Sequence, residues 1–217
     1  MEKSEAKYIL DTLKKEYPEA KCELEYRNNF ELLIAVSLSA QTTDKRVNIV
    51  TKDLFKKYDD PYKLKDADYE EVKEIIKSLG LSSSKARNII DISKKLVEDY
   101  KGKVPSTREE LMLLPGVGRK TSNVVLSVGF DIPAIAVDTH VKRVSNRLGL
   151  SESDDVLKIE EDLMKLFDEK DYYSVHHSLI FFGRYLCKAK NPSCDICPLK
   201  DKCKKIGNLN KVVFFEK

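Results

Sequence analysis

The sequence has little glycine and proline, and it has no tryptophan. Eight Gly and seven Pro make up about 7% of its 217 residues, against a usual share of about 12%. So few turn-forming residues argue against a turn-rich all-β architecture and favour helices. Long apolar runs are missing too, since no uncharged stretch reaches the roughly 18 residues that a membrane span needs.

An export signal and a disulfide framework are also absent. Residues 1–10 contain no apolar core of the length that a signal peptide needs, so we expect a cytoplasmic protein. Four of the five cysteines fall in the last 31 residues. In a reducing compartment, such clustering favours metal binding over disulfides, and Cys22 stands apart from the group.

Charge is nearly balanced but unevenly distributed. The chain has 39 Lys and Arg against 36 Asp and Glu, a net charge of +3. The net charge is −1 over residues 1–100, +4 over 101–150, −5 over 151–186 and +5 over 187–217. This pattern is typical either of solvated helix faces or of a surface that binds a polyanion, and the motifs must decide between them.

Apolar residues recur at helical spacing along nearly the whole chain, which predicts ten or eleven helices and an all-α fold. Capping residues set the predicted helix limits. Asn29, Thr107 and Asp138 are predicted N-caps, and Leu81-Ser82-Ser83 is predicted to form a loop between two helices. Pro133 is the predicted boundary at which the chain crosses between two lobes.

Residues 114–120 (LPGVGRK) predict a tight hairpin between two helices. Gly116 and Gly118 flank Val117, so backbone N–H groups are accessible at the N-terminus of the following helix, which is an anion site. Two cations, Arg119 and Lys120, follow directly. The pattern favours a phosphate-binding hairpin over an ordinary connection between two helices.

Lys120 is a candidate nucleophile. A lysine amine is protonated at neutral pH unless burial or nearby positive charge disfavours the cation. The helix N-terminus and Arg119 place such charge beside Lys120, and Asp138 is a candidate partner. From the residues alone, an inert surface lysine and an ordinary helix-capping aspartate remain the alternatives.

The cysteine segment has the spacing C-x6-C-x2-C-x5-C, formed by Cys187, Cys194, Cys197 and Cys203. Structural zinc commonly uses two close cysteine pairs, whereas this set has one CxxC, and it matches neither common ferredoxin spacing. Spacing alone therefore leaves zinc and an iron–sulfur cluster open. Lys188 and Lys190 lie in the loop within the set, which suits phosphate contact.

In combination and in this order, these motifs resemble the endonuclease III family of DNA glycosylases with abasic-site lyase activity. The resemblance covers nearly the whole chain and rests on residues 38–44 (LSAQTTD), 114–121 (LPGVGRKT), 137–141 (VDTHV) and the four cysteines. It implies an all-α fold of two lobes with a DNA-binding cleft between them, and a [4Fe–4S] cluster. The implied domains are 22–132, which contains the helix–hairpin–helix, and 1–21 plus 133–217, which contains the cluster loop 187–203.

The resemblance also implies roles for single residues. Lys120 matches the family's nucleophile and Asp138 its catalytic carboxylate, while the four cysteines match the cluster ligands. Gln41 and Leu81 match residues that enter the helix when the damaged base is flipped out. One departure is that Ser82-Ser83 follows the leucine, where family members often have Tyr-Asn.

The implied function is removal of oxidised pyrimidines from duplex DNA, followed by β-elimination on the 3′ side of the abasic site. The alternatives are an adenine-excising mismatch glycosylase and a non-catalytic DNA- or RNA-binding module. We expect damaged double-stranded DNA as partner, no membrane, and a monomer in the cytoplasm, associated with the nucleoid through DNA. Besides Gln41 and Leu81, the expected DNA contacts are Gly116, Val117, Gly118, Arg119, His140, Lys188 and Lys190; a structural role is the alternative for His140.

Overall fold

The computed structural model describes residues 1–204 of the chain, and regular structure over this range is helical throughout, which confirms the all-α prediction. Four 3₁₀ segments, Lys77–Leu79, Glu169–Asp171, Cys194–Ile196 and Lys200–Lys202, accompany the α-helices. The α-helices of this range are α1 (Lys3–Glu16), α2 (Asn29–Leu38), α3 (Asp44–Lys57), α4 (Pro61–Leu64), α5 (Tyr69–Ile76), α6 (Ser82–Tyr100), α7 (Arg108–Leu111), α8 (Arg119–Gly129), α9 (Thr139–Leu148), α10 (Val156–Leu166) and α11 (Tyr172–Tyr185).

Side-chain caps fix several helix starts, because the first N–H groups of a helix have no backbone acceptor. Thr107 accepts from the backbone N–H of Glu110, and Asp138 caps α9, as predicted. The predicted cap at Asn29 is wrong by one residue. Asn28 has the extended backbone that a cap requires, and its Oδ1 accepts from the N–H of Glu31 at 2.9 Å, whereas Asn29 already lies in the helix.

The connection before α6 is shorter than the predicted loop Leu81-Ser82-Ser83. Leu81 adopts the left-handed conformation (φ 50°, ψ 31°), and α6 begins at the next residue. The carbonyl of Leu81 already accepts a hydrogen bond from the backbone N–H of Lys85 at 3.0 Å. The loop prediction is therefore wrong for both serines, because one left-handed residue redirects the chain and leaves Ser82 and Ser83 in the first helical turn.

Contacts between Cα atoms divide the chain into two compact units. The middle unit is Glu23–Ile132. The terminal unit combines Met1–Cys22 with Pro133–Lys217, of which the structure describes the part up to residue 204. Within the described residues, no helix is both long and apolar enough to cross a membrane.

The middle unit is built around α2, which packs against α3, α6 and α8. Gly129 at the end of α8 permits a close approach to α2: a Cβ there would lie 2.9 Å from both Asn29 Oδ1 and Leu32 Cδ2. Apolar side chains on every side of α2 are withdrawn from water, which makes it the central helix: Phe30, Leu32, Leu33, Ile34, Ala35, Val36 and Leu38.

The terminal unit packs α11 against α1 and α9, and α10 against α9. Gly183 lets α11 approach α9 closely, since a Cβ at that position would lie 3.0 Å from the Cβ of His140. A continuous apolar core holds these helices together and reaches the cysteine segment: Ile9, Leu13, Val141, Val144, Leu148, Ile159, Leu163, Leu179, Phe182, Cys187 and Leu199.

Candidate functional site

The hairpin before α8 is shaped by Gly116. This residue has φ 71°, and a Cβ on it would lie 2.5 Å from Asn88 Nδ2 on α6. Both the left-handed backbone and the close approach therefore require glycine here. Asn88 lies seven residues beyond Leu81, so the hairpin meets α6 about 10 Å along the helix axis from that leucine.

Val117, a predicted DNA contact, is buried in the hairpin. Val117 is only 5% exposed, and its backbone N–H donates to the Leu114 carbonyl at 3.1 Å. Neither the side chain nor the N–H is then available to a phosphate. The buried side chain and this hydrogen bond anchor the hairpin within the middle unit, which favours a structural role for Val117.

The N-terminus of α8 has the properties of an anion site. Gly118 is its N-cap residue and offers no side-chain hydrogen bond, and the space around its Cα is open. Lys120 is the second residue of the helix and is exposed. Within the middle unit, its ammonium group forms no ion pair with a carboxylate. The exposed helix N-terminus, the helix dipole and this cation all favour a bound anion.

Gln41 and Leu81 belong to the same unit and share an unusual backbone conformation. Their φ angles are 56° and 50°, in the left-handed region that favours glycine. Both side chains are exposed, that of Leu81 to an extent of 59% of the residue. An exposed large apolar side chain on a strained turn is suited to contact something outside the protein.

Asp138 lies in the terminal unit and caps α9 with one carboxylate oxygen. Oδ1 accepts from the backbone N–H groups of His140 at 2.8 Å and Val141 at 2.7 Å. These bonds fix the orientation of the half-buried side chain. Among the described residues of the terminal unit, Oδ2 has no hydrogen-bond partner, so that oxygen can accept a proton or face a developing positive charge.

His140 follows Asp138 in the first turn of α9 and is half-buried. Burial lowers its pKa, and Arg143 and Arg184 lower it further, against the opposing effect of Asp138. Arg143 Nη2 lies 3.2 Å from His140 Nδ1, so a cationic side chain faces this side of the ring. The lowered pKa of His140 disfavours the charged ring that would attract a phosphate.

The four clustered cysteines line one cavity in the terminal unit, together with apolar side chains such as Phe182 and Leu186. No three His, Cys, Asp or Glu side chains of residues 1–204 are grouped closely enough to hold a single metal ion; the thiols are distributed around the cavity wall. Burial and the neighbouring thiols raise the pKa of both Cys194 and Cys197. Four thiolates therefore need cationic metal to neutralise them, and these residues fit an iron–sulfur cluster.

The loop inside this set is fixed by Arg147, a residue that the sequence reasoning missed. Its guanidinium is buried on α9 and donates to the carbonyls of Lys188 at 2.8 Å and Ala189 at 3.2 Å. It also lies 3.3 Å from Cys187 Sγ. Lys188 and Lys190 remain exposed. Because the two partners are 40 residues apart along the chain, no local pattern indicates this contact.

The site residues fall into two groups. The middle unit brings together the hairpin with Lys120, the turn at Gln41 and the turn at Leu81. The terminal unit contains Asp138, His140, the four cysteines, Lys188 and Lys190.

Known protein families match the parts of the chain that contain both groups of site residues. Residues 34–169 match the HhH-GPD superfamily of base excision DNA repair proteins, and residues 187–203 match the iron–sulfur binding domain of endonuclease III. Endonuclease III of Bacillus subtilis is 53% identical over 198 residues, which cover 91% of this chain and 90% of the relative.

Two solved structures are also similar to this chain. A non-covalent endonuclease III–DNA complex has a TM-score of 0.93 at 50% sequence identity and covers 97% of this chain and 99% of that one. A trapped endonuclease III–DNA covalent intermediate has a TM-score of 0.91 at 52% sequence identity, and the match covers 94% of this chain and 97% of that one.

The helix–hairpin–helix with its anion site and the cysteine-lined cavity are thus features of a base-excision DNA repair glycosylase. Within that class, the chain belongs to the endonuclease III family. The metal question that spacing left open is settled by the family: the cofactor is a [4Fe–4S] cluster.

Proposed function

We propose that this protein removes oxidised pyrimidines from duplex DNA and then cleaves the strand on the 3′ side of the abasic site. The observation that carries the proposal is Lys120: an exposed lysine without an acidic partner in its unit, at the uncapped N-terminus of α8. A phosphate held by the hairpin would bring the adjacent sugar to this amine.

Lys120 acts as the nucleophile in its neutral form. Its nitrogen bonds to the sugar C1′ as the glycosidic C–N bond breaks, and the base leaves with that electron pair and takes up a proton. The nitrogen then loses a proton and forms a double bond to C1′ as the C1′–O4′ bond breaks, and O4′ takes up a proton, which gives an imine and an open sugar. A proton then leaves C2′, the C3′–O bond breaks with release of the phosphate, and water hydrolyses the imine to return the amine.

Asp138 assists both bond changes at C1′. Its Oδ1 is occupied by two backbone N–H groups, so Oδ2 is the oxygen that accepts a proton or stabilises the sugar cation. The relative described as a trapped covalent intermediate supports a covalent route for this chain by similarity. The relative described as a DNA complex supports DNA as the partner.

The base must leave the stack before Lys120 can reach its sugar, at a cost of a few kcal/mol. Leu81 and Gln41, exposed on their turns, are suited to fill the vacated space.

When bound, the cluster supplies metal–thiolate bonds that hold the loop 187–203 in shape. Lys188 and Lys190, together with the hairpin residues Gly116, Gly118 and Arg119, contact the DNA backbone. A cytoplasmic monomer associated with the nucleoid stays our prediction.

A cleavage assay tests this function. Two duplexes of the same sequence are compared, one with a single thymine glycol and one with an adenine opposite 8-oxoguanine. We expect base release and a strand break with the first duplex only. Excision from the second duplex alone would favour the adenine-excising mismatch glycosylase, and binding without any strand break would favour the non-catalytic module.

A further inference from the structure

Lys85, the fourth residue of α6, is a buried lysine that the catalytic proposal does not use. Only 5% of the residue is exposed. Its ammonium contacts are the hydroxyl of Thr42 at 3.0 Å and the carbonyl of Leu79 at 3.1 Å, and no carboxylate within residues 1–204 pairs with it. Burial lowers the pKa of Lys85. An apolar residue would avoid this desolvation cost, so stability alone does not account for the lysine.

The contacts of Lys85 form a closed triangle. Its Nζ donates to Thr42 Oγ1 and to the carbonyl of Leu79, and Thr42 Oγ1 donates to the same carbonyl at 2.6 Å. Thr42 directly follows Gln41, and Leu79 lies two residues before Leu81. The backbone N–H of Lys85 also donates to the Leu81 carbonyl at 3.0 Å. One residue therefore joins the two turns that carry Gln41 and Leu81.

Both turns are strained, because a side chain in the left-handed region costs about 1 kcal/mol or more. Such a conformation persists only where surrounding contacts enforce it. Hydrogen bonds from a buried ammonium are stronger than those between two neutral groups, so they are suited to enforce a strained backbone. The triangle fixes the residue after Gln41 and the residue two positions before Leu81.

We propose that Lys85 is a positioning residue that holds the turns of Gln41 and Leu81 together, so that both side chains are ready to enter the space of a flipped base. This inference rests on the proposed function of those two residues. Turns ordered before binding lose no conformational freedom when DNA arrives. The benefit is confined to DNA in which the side chains insert, because undamaged duplex is bound through phosphate contacts alone.

The test compares the wild-type protein, with its cluster, with Lys85→Met. Dissociation constants are measured for a duplex with a stable abasic-site analogue and for the same duplex undamaged. We expect the preference for the abasic duplex to fall about tenfold, with affinity for undamaged duplex unchanged. The melting temperature should not fall, because Thr42 still satisfies the Leu79 carbonyl and the desolvation cost disappears. Lys94→Met, an exposed lysine on the same helix, is the matched control and should change neither quantity.

A second pair of variants keeps the inference testable if Lys85→Met does not fold. Thr42→Val removes the hydroxyl from the triangle at nearly constant volume, and Thr42→Ser retains it. The valine variant should lose preference for the abasic duplex and the serine variant should keep it. Equal loss of affinity for both duplexes, or a lower melting temperature with unchanged preference, would overturn the positioning role.

Amide hydrogen exchange in the DNA-free protein separates this inference from the proposed function. Residues 39–43 and 79–82 should exchange faster in Lys85→Met than in wild type, with exchange elsewhere unchanged. If Gln41→Ala and Leu81→Ala left the preference for abasic DNA intact, the proposed role of those residues would fail while the exchange result still reported on Lys85. Unchanged exchange in both segments would overturn the inference itself.

Discussion

Arg147 binds the backbone of the basic loop at Lys188, 41 residues further along the chain: its Nη1 donates to the Lys188 carbonyl at 2.8 Å. The same residue contacts the other end of the cysteine segment through its own carbonyl, which accepts from the Lys204 N–H at 3.0 Å and lies 3.4 Å from Cys203 Sγ. Helix α9 therefore begins after the Asp138 cap and, one residue before its end, carries the arginine that orders the cluster loop.

Arg147→Met should weaken binding to damaged and undamaged duplex alike, because the carbonyls of Lys188 and Ala189 lose their donor and the loop loses its shape. Hydrogen bonds to a charged group are worth about 1.5–3 kcal/mol each, so iron should also be released faster on mild heating. Arg147→Lys keeps the charge but lacks the planar fork, and it should show an intermediate loss. Wild-type iron release in Arg147→Met would contradict this account.

Asp138→Asn should slow base excision by orders of magnitude while binding of an abasic analogue persists, because the charge that assists Lys120 is removed. An amide oxygen still accepts the N–H groups of His140 and Val141, so the free energy of unfolding should change by less than about 1 kcal/mol. Single-turnover rates and urea denaturation check the two statements. Parallel losses of stability and activity would instead assign Asp138 to capping alone.

Leu81→Ala and Lys188→Ala should have different effects on DNA affinity. The first removes an inserted apolar side chain and should weaken binding to an abasic analogue more than binding to undamaged duplex. The second removes a phosphate contact, so affinity should fall for both duplexes and the salt dependence should flatten by up to about one unit of slope. Salt titrations by fluorescence anisotropy measure both effects. Equal losses for the two duplexes in Leu81→Ala would favour a packing role for this side chain.

Serine variants of Cys22 and Cys197 test which cysteines hold the iron–sulfur cluster. Anaerobically purified wild type should be yellow-brown with about four iron and four sulfide per chain. Cys22 does not line the cavity, so Cys22→Ser should keep the colour, and Cys197→Ser should lose it. Iron and sulfide analysis with absorption spectra checks this. Full iron content in Cys197→Ser would remove that residue from the ligand set.

The sequence indicated features that depend on local chemistry and missed those that depend on tertiary contacts. The caps at Thr107 and Asp138 could be predicted because a capping side chain bonds to N–H groups two or three residues away. The left-handed turn at Leu81 was missed, since nothing local distinguishes that leucine from a helical one. Lys85 and Arg147 were missed for a related reason. Their partners lie 43 and about 40 residues away, and a buried lysine or arginine reads as a surface residue in sequence.

The central claim is that the Lys120 amine forms a covalent bond to the sugar. Borohydride trapping on a duplex with one abasic site tests it most directly, because only an imine is reduced to a stable adduct. Wild type and Lys103→Ala, an exposed lysine in the same unit, should yield an adduct of protein and DNA, and Lys120→Ala should bind the duplex without one. An adduct formed by Lys120→Ala at the wild-type rate would contradict the account.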